Sequence, residues 1–258
     1  MLPHVAGLDV GFSTKRKSTG FGWYRDGVIC LGHDFRPQAC DLLLNQKPFD
    51  VIAVDGPVLP KAAAGTAPRE VERIFSSGAF ARRCKPGMSH WGVGYRLRTA
   101  AAEAGNCLCV GAPIDDVRFT VPRVVEGAII EAFPNAFLGV CLEEQCYERP
   151  KKLRRGQKFD WLYDQWMERN VLERVISFLP GDATSLADCF ARTKHHDERA
   201  ALVCVLTALF AAVGNCVAVG CDATGWFFLP PREAWAPWAW RELESLLASG
   251  KYAVKIAP

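Results

Sequence analysis

The sequence has no run of about 18 apolar residues, the length a helix needs to cross a bilayer. It shows no internal repeat, no low-complexity linker and no long block of one charge. Its opening, "MLPHVAGLDV", lacks the basic segment, apolar core and cleavage site of a secretory signal, so none is expected. No pair of cysteines has CxxC spacing, which argues against a zinc ribbon or a dithiol redox centre. The 11 cysteines are an odd number, and several, such as Cys107, Cys109 and Cys204, lie in apolar context. They read as buried free thiols of a reducing cytoplasm, not as a disulfide frame. Net charge is low, at +3, which permits a polyanionic partner without requiring one.

What is present is a chain of 258 residues, half of them hydrophobic, enough for one large domain or two small ones, and the lack of a linker favours one domain with insertions. "HVAGLDV" reads as a buried strand. "STGFGWYRDGVICLGHDFR" reads as two strands turned at Asp26-Gly27, a strong hairpin dipeptide. "CDLLLNQ" is a short helix. "FDVIAVDGP" is the clearest strand, a continuous apolar run closed by Asp55 and Gly56-Pro57. "RLRTAAAEAG" is a helix closed by Gly105, and "GAIIEAFP" is a strand bearing Glu131. "KFDWLYDQWMERNVLERVISFL" and "HDERAALVCVLTALFAAVG" are long helices. A hairpin, "VAVGCDATGWFFLP", then leads to a last helix near Trp238–Leu247. The simplest sheet puts the first strand at the centre, the hairpin on one side, and the Asp55 and Glu131 strands on the other, joined by right-handed crossovers. Asp9 and Asp55 then share the carboxyl edge, where open α/β sheets bind ligands.

Each of four acids has an ordinary structural role open to it. Asp9 and Asp55 suit turns, Glu131 suits a solvated strand end, and Asp197 suits a helix N-terminus. Their joint pattern suggests more. Crowded carboxylates repel unless a cation lies between them, and oxygen-only ligands suit Mg²⁺ or Mn²⁺. Two such ions about 3.5–4 Å apart serve phosphodiester hydrolysis.

The segments "GLDVGFS" with "STGFGW", "IAVDGPVLP", "PREVERIF", "YRLR", "IIEAFPNAFLG", "HDERAALVCVLTAL" and "GWFFLPP" resemble the family catalogued as domain of unknown function 429. Its members are described as predicted nucleases of ribonuclease H-like fold. The resemblance runs from Gly7 to Pro231. It implies one ribonuclease H-like domain over residues 1–258: a mixed sheet with a three-strand antiparallel start, further strands parallel to the first, flanking helices and a basic insertion at about 61–98. It implies a metal-dependent nuclease with Asp9, Asp55, Glu131 and Asp197 as catalytic metal ligands. In ribonuclease H-like resolvases an Asp directly precedes a small residue in the late helix. Here Arg199 fills that slot before Ala200, and Glu198 is the alternative to Asp197.

A nucleic-acid partner, DNA or RNA, would need bases. Ser13 and Lys15, with Arg16 and Lys17, follow the first strand, and Arg69, Arg73, Arg82, Arg83, Lys85, Arg96 and Arg98 populate the insertion. Lys151, Lys152, Arg154 and Arg155 form a second cluster. Arg69 and Arg73 read as a phosphate clamp or as partners of Glu70 and Glu72. Trp91 is an aromatic on which an unpaired base could stack. His195-His196 reads as a general base beside the metal or as a plain helix start. The tail "EAWAPWAW" reads as core or interface. A second reading is open: "LDVGFSTK" also resembles the first phosphate loop of the sugar-kinase and actin superfamily, although the chain is short for its two lobes. A third is a binding protein that keeps the fold without catalysis.

Overall fold

A computed structural model describes residues 2–58, 67–84, 87–109, 127–147, 153 and 156–257. The basic residues Lys61, Lys85, Lys151, Lys152, Arg154 and Arg155 lie outside the described residues. Strands β1 (Val5–Asp9), β2 (Thr19–Arg25) and β3 (Val28–Asp34) form an antiparallel start. Asp26 and Gly27 both have positive φ, 50° and 82°, the backbone of a type I′ hairpin turn. Strands β4 (Val51–Asp55) and β5 (Ala128–Ala132) continue the sheet parallel to β1. A second hairpin, β6 (Val217–Cys221) and β7 (Gly225–Leu229), and a three-residue strand β8 (Lys255–Ala257) complete it. The order across the sheet is β3-β2-β1-β4-β5-β7-β6-β8, an α/β mixed sheet consistent with a ribonuclease H-like fold.

Helices cover both faces. On one lies the helix His196–Ala212, packed on β1, β2 and β4. Its residues from Ala200 to Ala211 are all buried, as befits a helix apolar on every side. It stops in a Schellman turn: the Asn215 N–H donates to the Phe210 carbonyl at 2.9 Å, that of Gly214 (φ 70°) to Ala211 at 3.1 Å. On the opposite face, Leu8, Ile52, Val54 and Ile129 pack with Cys40, Leu43, Ala101 and Leu108. These come from the helices Arg36–Leu44 and Gly92–Leu108.

Two boundaries differ from the sequence expectation, and one further helix was not expected. The helix expected to close at Gly105 runs to Leu108, because Gly105 keeps helical backbone and packs near Val58. The long stretch from Lys158 is two helices, Lys158–Glu168 and Val171–Ile176, divided where Asn170 turns left-handed at φ 53°. A further helix, Thr184–Arg192, follows them. The tryptophan-rich tail is core: the indoles of Trp235 and Trp238 donate to the carbonyls of Pro230 and Leu142. All eleven cysteines are free thiols. Among the described residues no helix is long and apolar enough to cross a membrane.

The seat of the helix His196–Ala212 is made of backbone. A Cβ on Gly7 would stand 2.4 Å from the Val205 nitrogen and 2.5 Å from the Ala201 carbonyl oxygen. One on Gly20 would stand 1.9 Å from the Asp197 carbonyl oxygen. All three distances are far inside van der Waals contact, and none of the neighbours is a flexible side chain. Gly7→Ala should therefore destabilise the protein by at least ~1–3 kcal/mol, the usual cost of overpacking. Gly87→Ala, with nothing within 4 Å, should change the urea midpoint little. Equal midpoints for the two variants would contradict the close seat.

Candidate active site

Asp9 and Asp55 are direct register partners at the ends of parallel strands β1 and β4. Side chains alternate along a strand, so paired residues share a face. Both aspartates lie on the face of Val5, Gly7, Val51 and Ala53, beneath the helix His196–Ala212. Gly20 pairs with Asp9 across β2, and the backbone of Asp197 rests on it. That contact brings the first turn of the helix to the acid pair.

The electrostatics agree with the placement. Burial, then Asp55, then Asp197 raise the pKa of Asp9 well above the ordinary carboxylate range. Burial and Glu131 push Asp55 up to about 7. Beneath them the Cys204 thiol is raised by burial and by the same two carboxylates, which keeps it protonated. Asp9 on β1 thus feels both Asp55 of β4 and Asp197 at a helix N-terminus, and among the described residues no cationic side chain offsets the shifts of Asp9 and Asp55. The donors are all carboxylate oxygens, and the repulsion is of the kind a hard divalent cation relieves, so the residues fit one. They are more loosely grouped than His33, His195 and Glu198. That trio is the group among the described residues whose potential ligand atoms all lie within 4.8 Å of one another.

Glu198 turns away from the aspartates. It accepts from His33 Nδ1 at 2.8 Å, and the His33 ring stacks on His195 with centroids 3.8 Å apart. His195 Nδ1 stands 4.0 Å from the Asp197 carboxylate, and His196 pairs with Asp160 at 2.9 Å. Arg199 points elsewhere: it donates to the Thr193 carbonyl at 3.0 Å, pairs with Asp160 and Asp164, and lies over the Tyr163 ring. Its length and charge draw it to the helix Lys158–Glu168, so this slot contributes no acid to the edge.

Glu131 does not join the aspartates. It pairs with Val54 in the sheet, one residue short of Asp55, and so projects from the opposite face. There Arg69 grips it with both terminal nitrogens, at 2.7 and 2.5 Å. Arg69 also donates through Nε to Glu72 at 2.9 Å and through Nη1 to the Thr224 carbonyl at 3.3 Å. The second oxygen of Glu72 accepts from the Ser89 N–H at 3.0 Å. At 2% and 5% exposure, Arg69 and Glu131 are an interior ion pair. Burial pushes Glu131 up, and the guanidinium holds it back.

The expected phosphate-binding residues divide in the same way. Arg69 is consumed by its two carboxylates and is no phosphate clamp. Arg98 is buried in the same neighbourhood, its pKa lowered first by burial and then by Arg69. Arg73, on the helix Glu70–Phe75, pairs with Glu70 and lies over Tyr252. Ser13 spends its hydroxyl oxygen on the N–H groups of Lys15 and Arg16, both at 3.2 Å. Lys15 and Arg16 are exposed in the connection that follows Asp9. Arg96 lies over Phe12 of that connection at 4.8 Å, and Trp91 (68%) and Tyr95 (50%) are exposed at the start of the helix that carries Arg96. The sequence reading missed His33, Glu72 as anchor of Ser89, and the Glu198–His33 bond. Only Glu72 had a sequence signal, its i,i+3 spacing from Arg69.

No family model, curated protein or solved structure matches the chain.

In chelator, the two acids should respond to mutation with opposite signs. The Asp55 pKa is raised on folding, so its stabilising contribution is complete below about pH 4 and is lost as pH rises through about 7. Asp55→Asn, and likewise Asp9→Asn, should therefore be more stable than the parent at pH 8, with the gap closing below pH 5. Glu131→Ala takes one of its two carboxylate partners from the buried Arg69 and should cost up to ~3–5 kcal/mol at pH 8. Urea unfolding at pH 5 and pH 8 measures both. Destabilisation of the same size in all three variants would put Glu131 and the aspartates back in one cluster.

Proposed function

We propose that the protein is a nuclease that hydrolyses phosphodiester bonds with Mg²⁺ or Mn²⁺ held by Asp9, Asp55 and Asp197. The observation that carries this reading is the direct register of Asp9 and Asp55 under a helix end bearing Asp197. An interior ion pair would give each acid a base; Asp9 is instead raised by burial and by Asp55 and Asp197. Bound cations would supply neutralisation of charge building on the phosphate and a lowered pKa for the attacking water. The chain's own residues orient that chemistry. Asp9 and Asp55 fix the spacing through the sheet ladder, and Asp197 closes the third side from the helix. Lys15 and Arg16 offer cations to the polymer backbone, and Trp91 and Tyr95 offer faces for unpaired bases. The resemblance to the predicted nucleases of domain of unknown function 429 points the same way. Glu131 and Arg69, in this reading, brace the edge and touch neither metal nor phosphate. The sugar-kinase reading needs two similar lobes around a nucleotide, and the described strands form one sheet.

Incubation of the purified protein with single-stranded and branched DNA and RNA in Mn²⁺ should give cleavage that chelator stops. Asp9→Asn and Asp197→Asn should each slow it by at least ~100-fold, the upper range for losing a residue that merely supports a ligand. Glu198→Gln should slow it far less. Cleavage that survives chelator or Asp9→Asn would rule the mechanism out. Calorimetric binding of ATP–Mg²⁺ without cleavage of any polymer would favour the nucleotide-binding alternative.

A further inference from the structure

On the Glu131 face of the sheet, beside Asp55, a half-open cavity of about 70 Å³ lies between β5, the residues Gly87–Ser89 and the helix Gly92–Leu108. A cavity needs about 10–15 Å³ on this measure to admit one water, so this one admits more than one and, being open on one side, a small flat ring. We propose that it receives a single nucleobase bearing an exocyclic amino group, with cytosine the best fit, and so holds one nucleotide of the substrate against the Asp55 edge. The proposal rests on the nuclease reading and names the feature of the substrate that the edge would grip.

Three observations define the occupant. The first is Ser89. It is 4% exposed, lines the cavity, and its hydroxyl oxygen has no hydrogen-bond partner, although its N–H is held by Glu72. A buried hydroxyl left unpaired costs about 1–3 kcal/mol, a penalty that a ligand's polar atom removes. The second is the apolar wall. Leu97, Phe133 and Phe227 line the space, which suits a flat ring and not a hydrated ion. The third is the set of acceptors. Glu72 and Glu131 border the cavity, and each is held by Arg69. A carboxylate oxygen that accepts one hydrogen bond keeps a further lone pair, so the lining offers acceptors to N–H donors. An exocyclic amine satisfies those acceptors; the carbonyl that uracil and thymine carry at the same place does not. Asp55 belongs both to the cavity and to the aspartate edge, so a base seated here has its phosphates next to the acids.

Saturation-transfer NMR with millimolar cytidine or uridine, in chelator, tests the site without cleavage. Wild-type protein should transfer magnetisation to the cytosine ring protons and bind cytidine at least ~5-fold more tightly than uridine. Ser89→Ala, a change too small to threaten folding, should weaken cytidine severalfold, and Leu97→Trp should fill the space and abolish the signal. Asp9→Asn, on the other face, should keep it. No transfer from the wild type, as for a cavity that holds only solvent, would overturn the base site and leave the nuclease reading standing. Equal binding of cytidine and uridine, or a Ser89→Ala protein indistinguishable from wild type, would also overturn it. A retained cytidine signal in a protein that cleaves nothing in Mn²⁺ would sink the nuclease reading alone.

Discussion

The structure depends on the contact between a helix and a strand pair with almost no side chain between them. Gly7 and Gly20 let the backbone of His196–Ala212 lie directly on β1 and β2. A helix held at that distance by its own backbone delivers Asp197 to Asp9 regardless of how the rest of the core is filled. The spacing of the three aspartates is then a property of main-chain geometry, set by the sheet ladder on one side and by two glycines on the other. The apolar length of the helix, buried from Ala200 to Ala211, supplies the driving force that holds Asp197 close to Asp9 against their repulsion.

Beside that edge lies a second polar cluster with the opposite logic. On the reverse face each carboxylate has a partner: Arg69 binds Glu131 and Glu72, and Glu72 binds the Ser89 backbone. Buried ion pairs of this kind give little net stability, since desolvation offsets their attraction. They do give position. Arg69 heads the helix Glu70–Phe75 and ties it to β5, and through Glu72 the segment leading to Gly92–Leu108 is tied to the same point. β4 stands between the two clusters, and Asp55 at its end is the residue they share.

The central strands and their order were legible in the sequence because a continuous apolar run closed by Asp-Gly or Asp-x-Gly marks a buried strand that stops at a sheet edge. The pairing of Asp9 with Asp55 followed from two such strands being neighbours. The separation of Glu131 was not legible. A strand period of two makes a one-residue shift in register a change of face, and register is fixed by packing that no single strand reveals. The fate of Arg69 was half legible: its spacing from Glu72 was visible, but its bond to Glu131, 62 residues on, is made only by the fold. The break at Asn170 was hidden because an asparagine inside an apolar helical pattern gives little warning that it will turn left-handed.

The margins of the sheet have a consequence for how the molecule meets its own copies. β8 is three residues long and begins with an exposed lysine, and β3 at the other side is a hairpin arm on which the helix Thr184–Arg192 packs. Short, charged or covered edge strands are poor templates for strand addition. The eight-stranded sheet therefore offers little purchase for sheet-to-sheet polymerisation, although its interior strands are apolar enough to aggregate if they were ever left at a border.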